Sequence, residues 1–324
     1  MILAPWQEEG WRLLSERRTR NTLPHALLFC GPEGLGKRAF AEAFARSLLC
    51  QNIGADFQAC NECRACKLFD AHSHPDCVRV NLELRDDGKL RTEIIVDQIR
   101  ALGQRVALTA QFSGYQIALI DPADAMNPSA GNALLKTLEE PTPATLIILL
   151  SDHPARLSAT IRSRCQRIDF RLPATAQALA WLDVQGIDKK TAAAALQASG
   201  GNPGTALSWA RSGGLALREE VATDLRALLS AKTTVLDVAN RWSKADAETR
   251  LWFAAALVQA EAHAHACGLP GPLALTTRSD FTKLAAWFDE ANRARALLRG
   301  PLRPELVVLE VLSTWGRPTL RRRA

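Results

Sequence analysis

The chain has 324 residues, 47% of them hydrophobic and 23% charged, with a formal net charge of +6; that length exceeds one typical core and predicts two or three domains. Its longest apolar run, Leu146–Leu150 with its neighbours, falls far short of the ~20 residues that cross a bilayer, and the N-terminus lacks a signal-peptide pattern, so a cytoplasmic protein with no membrane contact is expected. The charge is uneven: residues 1–170 carry 20 basic and 20 acidic side chains, whereas 171–324 carry 20 and 14, three of them in the terminal run Arg321–Arg323. That run reads as a solvated tail, and a basic chain without visible clustering of its cations is weak support for direct nucleic-acid contact.

The first informative stretch is an apolar run, Ala26–Cys30, followed by Gly31-Pro-Glu-Gly34-Leu-Gly36-Lys37 and a helical pattern carrying Phe40, Ala41, Phe44, Ala45, Leu48 and Leu49. Strand, glycine-rich turn and helix is the context a phosphate-binding loop requires, with backbone N–H groups cradling phosphates and the lysine reaching the outer ones. The next residue departs from the pattern. A working loop has Ser or Thr there as a Mg²⁺ ligand, and this chain has Arg38. A guanidinium cannot ligate a metal, although it can pair with a phosphate. Binding of ATP or ADP at Gly31, Gly34, Gly36, Lys37 and Arg38 therefore stays open, while Mg²⁺-assisted hydrolysis is not expected.

Directly after that helix comes Cys50-x9-Cys60-x2-Cys63-x2-Cys66. Four sulfurs with tight x2 spacing and no open position describe a structural tetrahedral Zn²⁺ site; disulfides are disfavoured in a chain without an export signal. Zinc here should stiffen an insertion too poor in apolar residues to hold itself. His72 and His74 are expected as polar loop residues outside the full thiolate shell. Cys30, Cys77, Cys165 and Cys267 are expected as small buried residues.

A second strand, Gln116–Ile120, ends in Asp121-Pro122-Ala123-Asp124. Asp121 falls where a P-loop ATPase keeps its metal-associated acid, but Pro122 stands in the adjacent glutamate position and offers no carboxylate to an attacking water. Asp124 is acidic but three residues on. There follow a helix over Asn132–Glu140 stopped by Pro141, a strand Thr145–Leu150 bounded by Ser151, a helical stretch leading to Ser163-Arg164-Cys165, and a short strand Gln166–Phe170. Ser151 fits either a polar sensor or a plain strand end. Alternating strands and helices predict a parallel sheet with ligand sites at strand ends.

Beyond Phe170 the sequence turns helical. Helices are expected around Thr175–Trp181 and Lys189–Ala198, then, after Ser199-Gly-Gly-Asn-Pro-Gly204, from near Thr205. Ala- and Leu-rich segments broken at Ser230–Thr234, Gly268–Pro272 and Gly300–Pro304 predict a bundle. Trp209, Trp242, Trp252, Trp287 and Trp315 stand within apolar helical stretches without interleaved cations, which marks them as core anchors and not base-stacking platforms.

The P-loop, the cysteine quartet after its helix, Asn132–Pro141 and Ser163-Arg164-Cys165, in this order, resemble the clamp-loader branch of the AAA+ family. The pairing of a damaged nucleotide site with an intact Ser-Arg-Cys is similar to its delta-prime branch. The resemblance is strong over the first 210 residues and weaker beyond, where it rests on helical character and on Arg303–Leu312. It implies an α/β fold: a RecA-like parallel-sheet domain over 1–170 with a zinc module at 50–66, a helical lid over 171–210 and an all-α collar for oligomerisation over 211–324. By position, Arg164 is the finger that such subunits place at a neighbour's ATP, and Gly204 falls where motor subunits carry a second sensor arginine. The implied function is a non-hydrolysing, stator-like subunit of the DNA polymerase III holoenzyme. Its implied partners are gamma/tau and delta subunits, with the sliding clamp and primed DNA reached through the assembly. The alternative is an active motor subunit of the same loader, with Lys37 and Asp121 sufficient for turnover. A free-standing zinc module that binds DNA is disfavoured, because the insertion is short and no basic helix flanks it.

Overall fold

The computed structural model describes residues 3–54, 56–85, 88–112, 114–275, 281–298, 300 and 302–315; Arg321–Arg323 lie outside them. The chain falls into two units, Met1–Trp181 with Asn202–Thr205, and Leu182–Gly201 with Ala206–Ala324. In chain order the first begins with a 3-10 turn at Pro5–Gln7, α1 (Glu8–Thr19), β1 (Ala26–Cys30), α2 (Lys37–Leu49) and the insertion, which carries α3 (Arg64–Asp70). It continues with β2 (Cys77–Val80), α4 (Val96–Val106), β3 (Gln116–Ile120), α5 (Pro128–Glu139), β4 (Thr145–Ser151), α6 (Ala159–Arg164) and β5 (Gln166–Asp169).

The strands form one sheet in the order β2-β3-β4-β1-β5, every pair parallel. Parallel neighbours require crossover helices, which cover both faces, so the strands are apolar on both sides. Alternate residues go to opposite layers. Leu27, Phe29, Ile117, Leu119, Leu146, Ile148 and Leu150 pack with Leu14 of α1 and Phe40 and Phe44 of α2. Ala26, Leu28, Cys30, Ala118, Ile120, Ile147 and Leu149 pack with Ile99 of α4, Leu134 of α5 and Ile161 of α6. The α/β parallel-sheet expectation holds. β4 runs one residue further than the sequence pattern implied, to Ser151, because that residue still pairs with Cys30.

Register positions the site. Cys30 lies opposite Ser151 and Ile120 opposite Leu149, with β4 between β1 and β3. The carboxyl ends of these three strands therefore converge, the place where open α/β sheets bind ligands.

The other unit is helical. The boundary between units falls within α7 (Thr175–Val184) and α9 (Pro203–Ser212); the remaining helices are α8 (Lys189–Ala198), α10 (Gly214–Leu229), α11 (Val235–Lys244), α12 (Ala247–Ala266), α13 (Phe281–Leu298) and α14 (Pro304–Trp315). Its core gathers Leu225, Trp242, Leu251, Phe253, Leu257, Trp287, Val308 and Trp315. Each buried indole N–H finds an acceptor: Trp242 the Asp224 carboxylate at 2.8 Å, Trp287 the Val311 carbonyl at 3.0 Å and Trp315 the Leu225 carbonyl at 3.0 Å. Trp209 and Trp252, partly buried, meet edge-on at 4.7 Å. All five tryptophans act as anchors, as their apolar setting implied. Cys30, Cys77 and Cys165 are buried, but Cys267 is exposed, because it follows the end of α12 where the chain leaves the bundle.

Glu261 of α12 is fully buried and accepts the N–H groups of Leu273 at 2.6 Å and Leu275 at 2.9 Å. A carboxylate without solvent needs such donors, and these two tie the stretch after α12 to the bundle. Gly271 packs so close that a side chain there would collide with the carboxylate. Replacing Glu261 with Ala strands the buried Leu273 N–H and the partly buried Leu275 N–H, so a loss of about 1–3 kcal/mol is expected, read as a lower melting temperature; a Glu261→Ala chain that melts like the parent would contradict this anchoring.

Candidate nucleotide site and thiolate cluster

The loop between β1 and α2 has the backbone that its glycines permit. Gly34 and Gly36 sit at φ +86° and +77°, a region that costs other residues strain, and the helix starts from Gly36 at Lys37. The two glycines thus shape the turn that leads from β1 into α2.

Its cations are occupied by the chain itself. The Lys37 side chain is only 6% exposed, and its ammonium donates to the carbonyls of Gly31 at 2.7 Å and Pro32 at 2.8 Å and forms an ion pair with Asp152. Arg38, largely exposed, pairs through Nε with the Asp121 carboxylate. The hydrogen bond and charge of Asp121 push the guanidinium above its ordinary pKa, outweighing partial burial. Position 38 thus engages the carboxylate at the end of β3. A divalent ion would have to displace a guanidinium from its best ligand and would gain no oxygen from position 38 in return.

Pro122 follows Asp121 as the sequence says, and a 3-10 turn at Ala123–Ala125 turns Asp124 back to the sheet. Asp124 Oδ1 accepts from Ser151 Oγ at 2.7 Å and from the Asp152 backbone N–H at 3.2 Å. Both contacts tie Asp124 to the end of β4. Asp152 was not singled out from sequence. Its signal was register: the pair after Cys30 and Ser151 sets it beside Gly31.

A distant segment also holds the loop. Asn202 Nδ2 donates to the Glu33 carbonyl at 2.6 Å while its Oδ1 accepts from Thr205 N at 3.1 Å. Gly204 lies so close that a Cβ would overlap the Gly34 carbonyl. From the N-terminus, Trp6 Nε1 and Gln7 Nε2 both donate to the Leu35 carbonyl, at 3.1 and 2.9 Å.

Arg164 ends α6, whose first turn is capped by Ser158 Oγ accepting from Ile161 N at 3.3 Å. Its guanidinium donates to the Thr160 carbonyl at 3.1 Å and pairs with Glu139 at 2.6 Å. The structure does not join it to Lys37, Arg38 or Asp121 in any described contact. It presents a partly exposed cation held at the ends of two helices.

The four cysteines do come together. Cys50 caps the end of α2, Cys63 caps the start of α3 and Cys66 lies in its first turn. The four Sγ atoms lie within 4.8 Å of one another, with Cys50 to Cys60 at 3.5 Å and Cys50 to Cys63 at 4.0 Å. A tetrahedron with Zn–S bonds of ~2.3 Å has edges of about 3.8 Å, so the donor set fits a four-thiolate ion. Backbone N–H groups of Cys60, Cys63 and Cys66 point at the preceding sulfurs at 3.3–3.4 Å. Burial works to raise the Cys63 thiol, but N–H donation from Cys66 and Gln51 outweighs it and brings the pKa down to about 6, whereas burial holds the Cys50 and Cys66 thiols above their ordinary value. Arg46 ties the insertion to α2 through Asn61 Oδ1 at 2.7 Å and an ion pair with Asp70. Both histidines lie in the loop after α3, as expected; His72 is exposed, whereas His74 is 2% exposed, with Nδ1 accepting from Asp76 N at 3.1 Å and its ring 5.2 Å from Phe112. Burial lowers its pKa and favours the neutral ring.

The family profile described as "DNA polymerase III, delta subunit" matches residues 6–174. The chain is similar to DNA polymerase III subunit delta' of Pseudomonas aeruginosa, 40% identical over 241 residues, which are 74% of this chain and 71% of that one. It is 33% identical to subunit delta' of Escherichia coli K12 over 205 residues, 63% of this chain and 60% of the relative. Subunit tau of Bacillus subtilis is 34% identical over 165 residues, 51% of this chain but 28% of the relative.

The contact at Gly204 is testable by itself. Gly204→Ala should lower the melting temperature by the equivalent of about 1–3 kcal/mol, the usual cost of overpacking a closed contact; unchanged melting would show that residues 202–205 do not press on the loop.

Proposed function

This chain belongs to the delta-prime family of DNA polymerase III clamp-loader subunits, and from that premise we propose that it is a non-hydrolysing brace of the loader. It helps place the sliding clamp on primed DNA and lends one arginine to a neighbouring gamma/tau subunit's ATP. The observation that carries this reading is the Arg38–Asp121 ion pair, which uses up both positions that would hold Mg²⁺. Pro122 and the Gly204 contact support it. The residual cradle at Gly31, Gly34 and Gly36 leaves nucleotide binding as a separate property. In this reading residues 171–210 serve as a lid and 211–324 as the collar that joins gamma/tau and delta in the cytoplasm. Among the described residues no helix is long and apolar enough to cross a membrane.

Arg164 is suited to a role in trans. Its guanidinium is always charged and presents a planar fork that a phosphoryl group accepts in two places. The Glu139 pair and the Thr160 carbonyl orient it while leaving it a third exposed. A neighbour's terminal phosphate offers a stronger anionic partner than an exposed carboxylate, so Arg164 exchanges Glu139 for the transferring group and stabilises its charge, an effect worth ~10³–10⁵ in rate at a site that depends on such a finger.

Zn²⁺ at Cys50, Cys60, Cys63 and Cys66 would supply a cross-link between α2 and α3 and no reaction chemistry, since four sulfurs leave no open position. The chain should purify with about one zinc per molecule, and Cys63→Ser should abolish it by metal analysis while destabilising the insertion to proteolysis; full zinc retention would reject the site.

Two activity measurements test the rest. The purified chain should release no phosphate from ATP above background, with or without Lys37→Ala; turnover lost on Lys37→Ala would favour a motor. In the assembled loader, Arg164→Ala should remove the share of DNA-dependent ATPase contributed by the adjacent site, and an unchanged rate would sink the finger role.

A further inference from the structure

We propose that Asp152 is the residue that sets the affinity of this phosphate loop: its carboxylate holds the Lys37 ammonium where a nucleoside di- or triphosphate would otherwise bind, so the chain disfavours nucleotide from within. The proposal rests on the reading of a non-hydrolysing site and deepens it, because loss of metal ligands bears on hydrolysis and leaves the affinity for phosphate to be set by other groups.

An ammonium has three N–H donors. At Lys37 the Gly31 and Pro32 carbonyls accept two of them and the Asp152 carboxylate stands against the ammonium as an ion-pair partner, in a setting where the side chain is 6% exposed. A polyphosphate can reach it only by displacing one of these partners, and it must also enter beside a fixed negative charge. Asp152 is not a loosely placed surface acid. Parallel pairing carries β4 to Ser151 opposite Cys30, and Asp124 clamps the turn by accepting from both Ser151 Oγ and Asp152 N. Asp124 thus acts as a positioning residue that presents the carboxylate to the loop.

The neighbouring pair behaves differently. Arg38 is 75% exposed, and an ion pair with an exposed partner is weak and screened, so Arg38 yields readily to a phosphate and can even help to bind it. The two acids therefore have separate effects: Asp121 competes for metal, and Asp152 competes for phosphate. Restoring a hydroxyl at position 38 leaves Lys37 sealed.

Titration calorimetry on the full chain, with ATP, ADP and inorganic pyrophosphate in the presence and absence of Mg²⁺, tests this. Asp152→Asn keeps the shape and removes the charge, and should lower the Kd for ATP at least tenfold relative to the parent chain. Arg38→Thr alone should change it less than threefold without Mg²⁺. Adding Lys37→Ala to Asp152→Asn should cancel the gain. Asp152→Ser provides a second neutral variant, and thermal melting of each confirms that it is folded. Folded Asp152→Asn and Asp152→Ser chains that bind ATP and pyrophosphate no more tightly than the parent would overturn the proposal. Phosphate release by the parent chain would instead overturn the non-hydrolysing reading, while the ratio of affinities would still decide the role of Asp152.

Discussion

The pairing of β4 between β1 and β3 is the constraint on which the rest depends. Because the three strands run parallel and in fixed register, their carboxyl ends bring the phosphate loop, the Asp121 turn and the Ser151–Asp152 turn to one place. A ligand site would ordinarily exploit that convergence. Here the convergence is filled by two ion pairs, Lys37 with Asp152 and Arg38 with Asp121, so the cations of this region are neutralised by the chain's own acids. Burial of unpaired charge is costly, and the buried Lys37 meets that cost with Asp152, whereas Arg38 is largely exposed.

The helix α2 links this region to the cysteine insertion. It begins at Lys37, packs Phe40 and Phe44 into the sheet, is pinned through Glu42 to Arg79 of β2 at 2.8–3.0 Å, and ends at Cys50. Arg46, near its end, holds Asn61 and Asp70 of the insertion. The insertion itself has few apolar side chains in the core beyond Phe57, Ala65 and Phe69, so four convergent sulfurs are its main means of cohesion. The rigidity of the loop and that of the thiolate cluster therefore share one element.

The helical unit is built by a different rule. Its large aromatic residues are buried with their polar atoms satisfied, and Glu261 does the same for a loop. Large buried side chains with matched hydrogen bonds specify one packing among many that Ala- and Leu-rich helices would tolerate. That explains why tryptophan, and not a heptad pattern, marks the positions that matter there.

The amino-acid sequence alone determined what local chemistry can write: the glycines of the loop, the lost hydroxyl at Arg38, the missing carboxylate at Pro122, the sulfur spacing, the apolar strands and the tryptophan anchors. Each follows from a residue type at a short spacing, where sterics or ligand geometry leave few choices. Tertiary structure decided the partners. That Arg38 meets Asp121, that Lys37 meets Asp152, that Asp124 turns back to Ser151, that Asn202–Thr205 presses on Glu33–Gly34, that His74 is buried and that Cys267 is exposed all depend on segments joined by sheet register and chain return. Spacing along a chain does not encode such distances; only the packed sheet, by fixing which strand ends lie side by side, sets which charges neutralise each other.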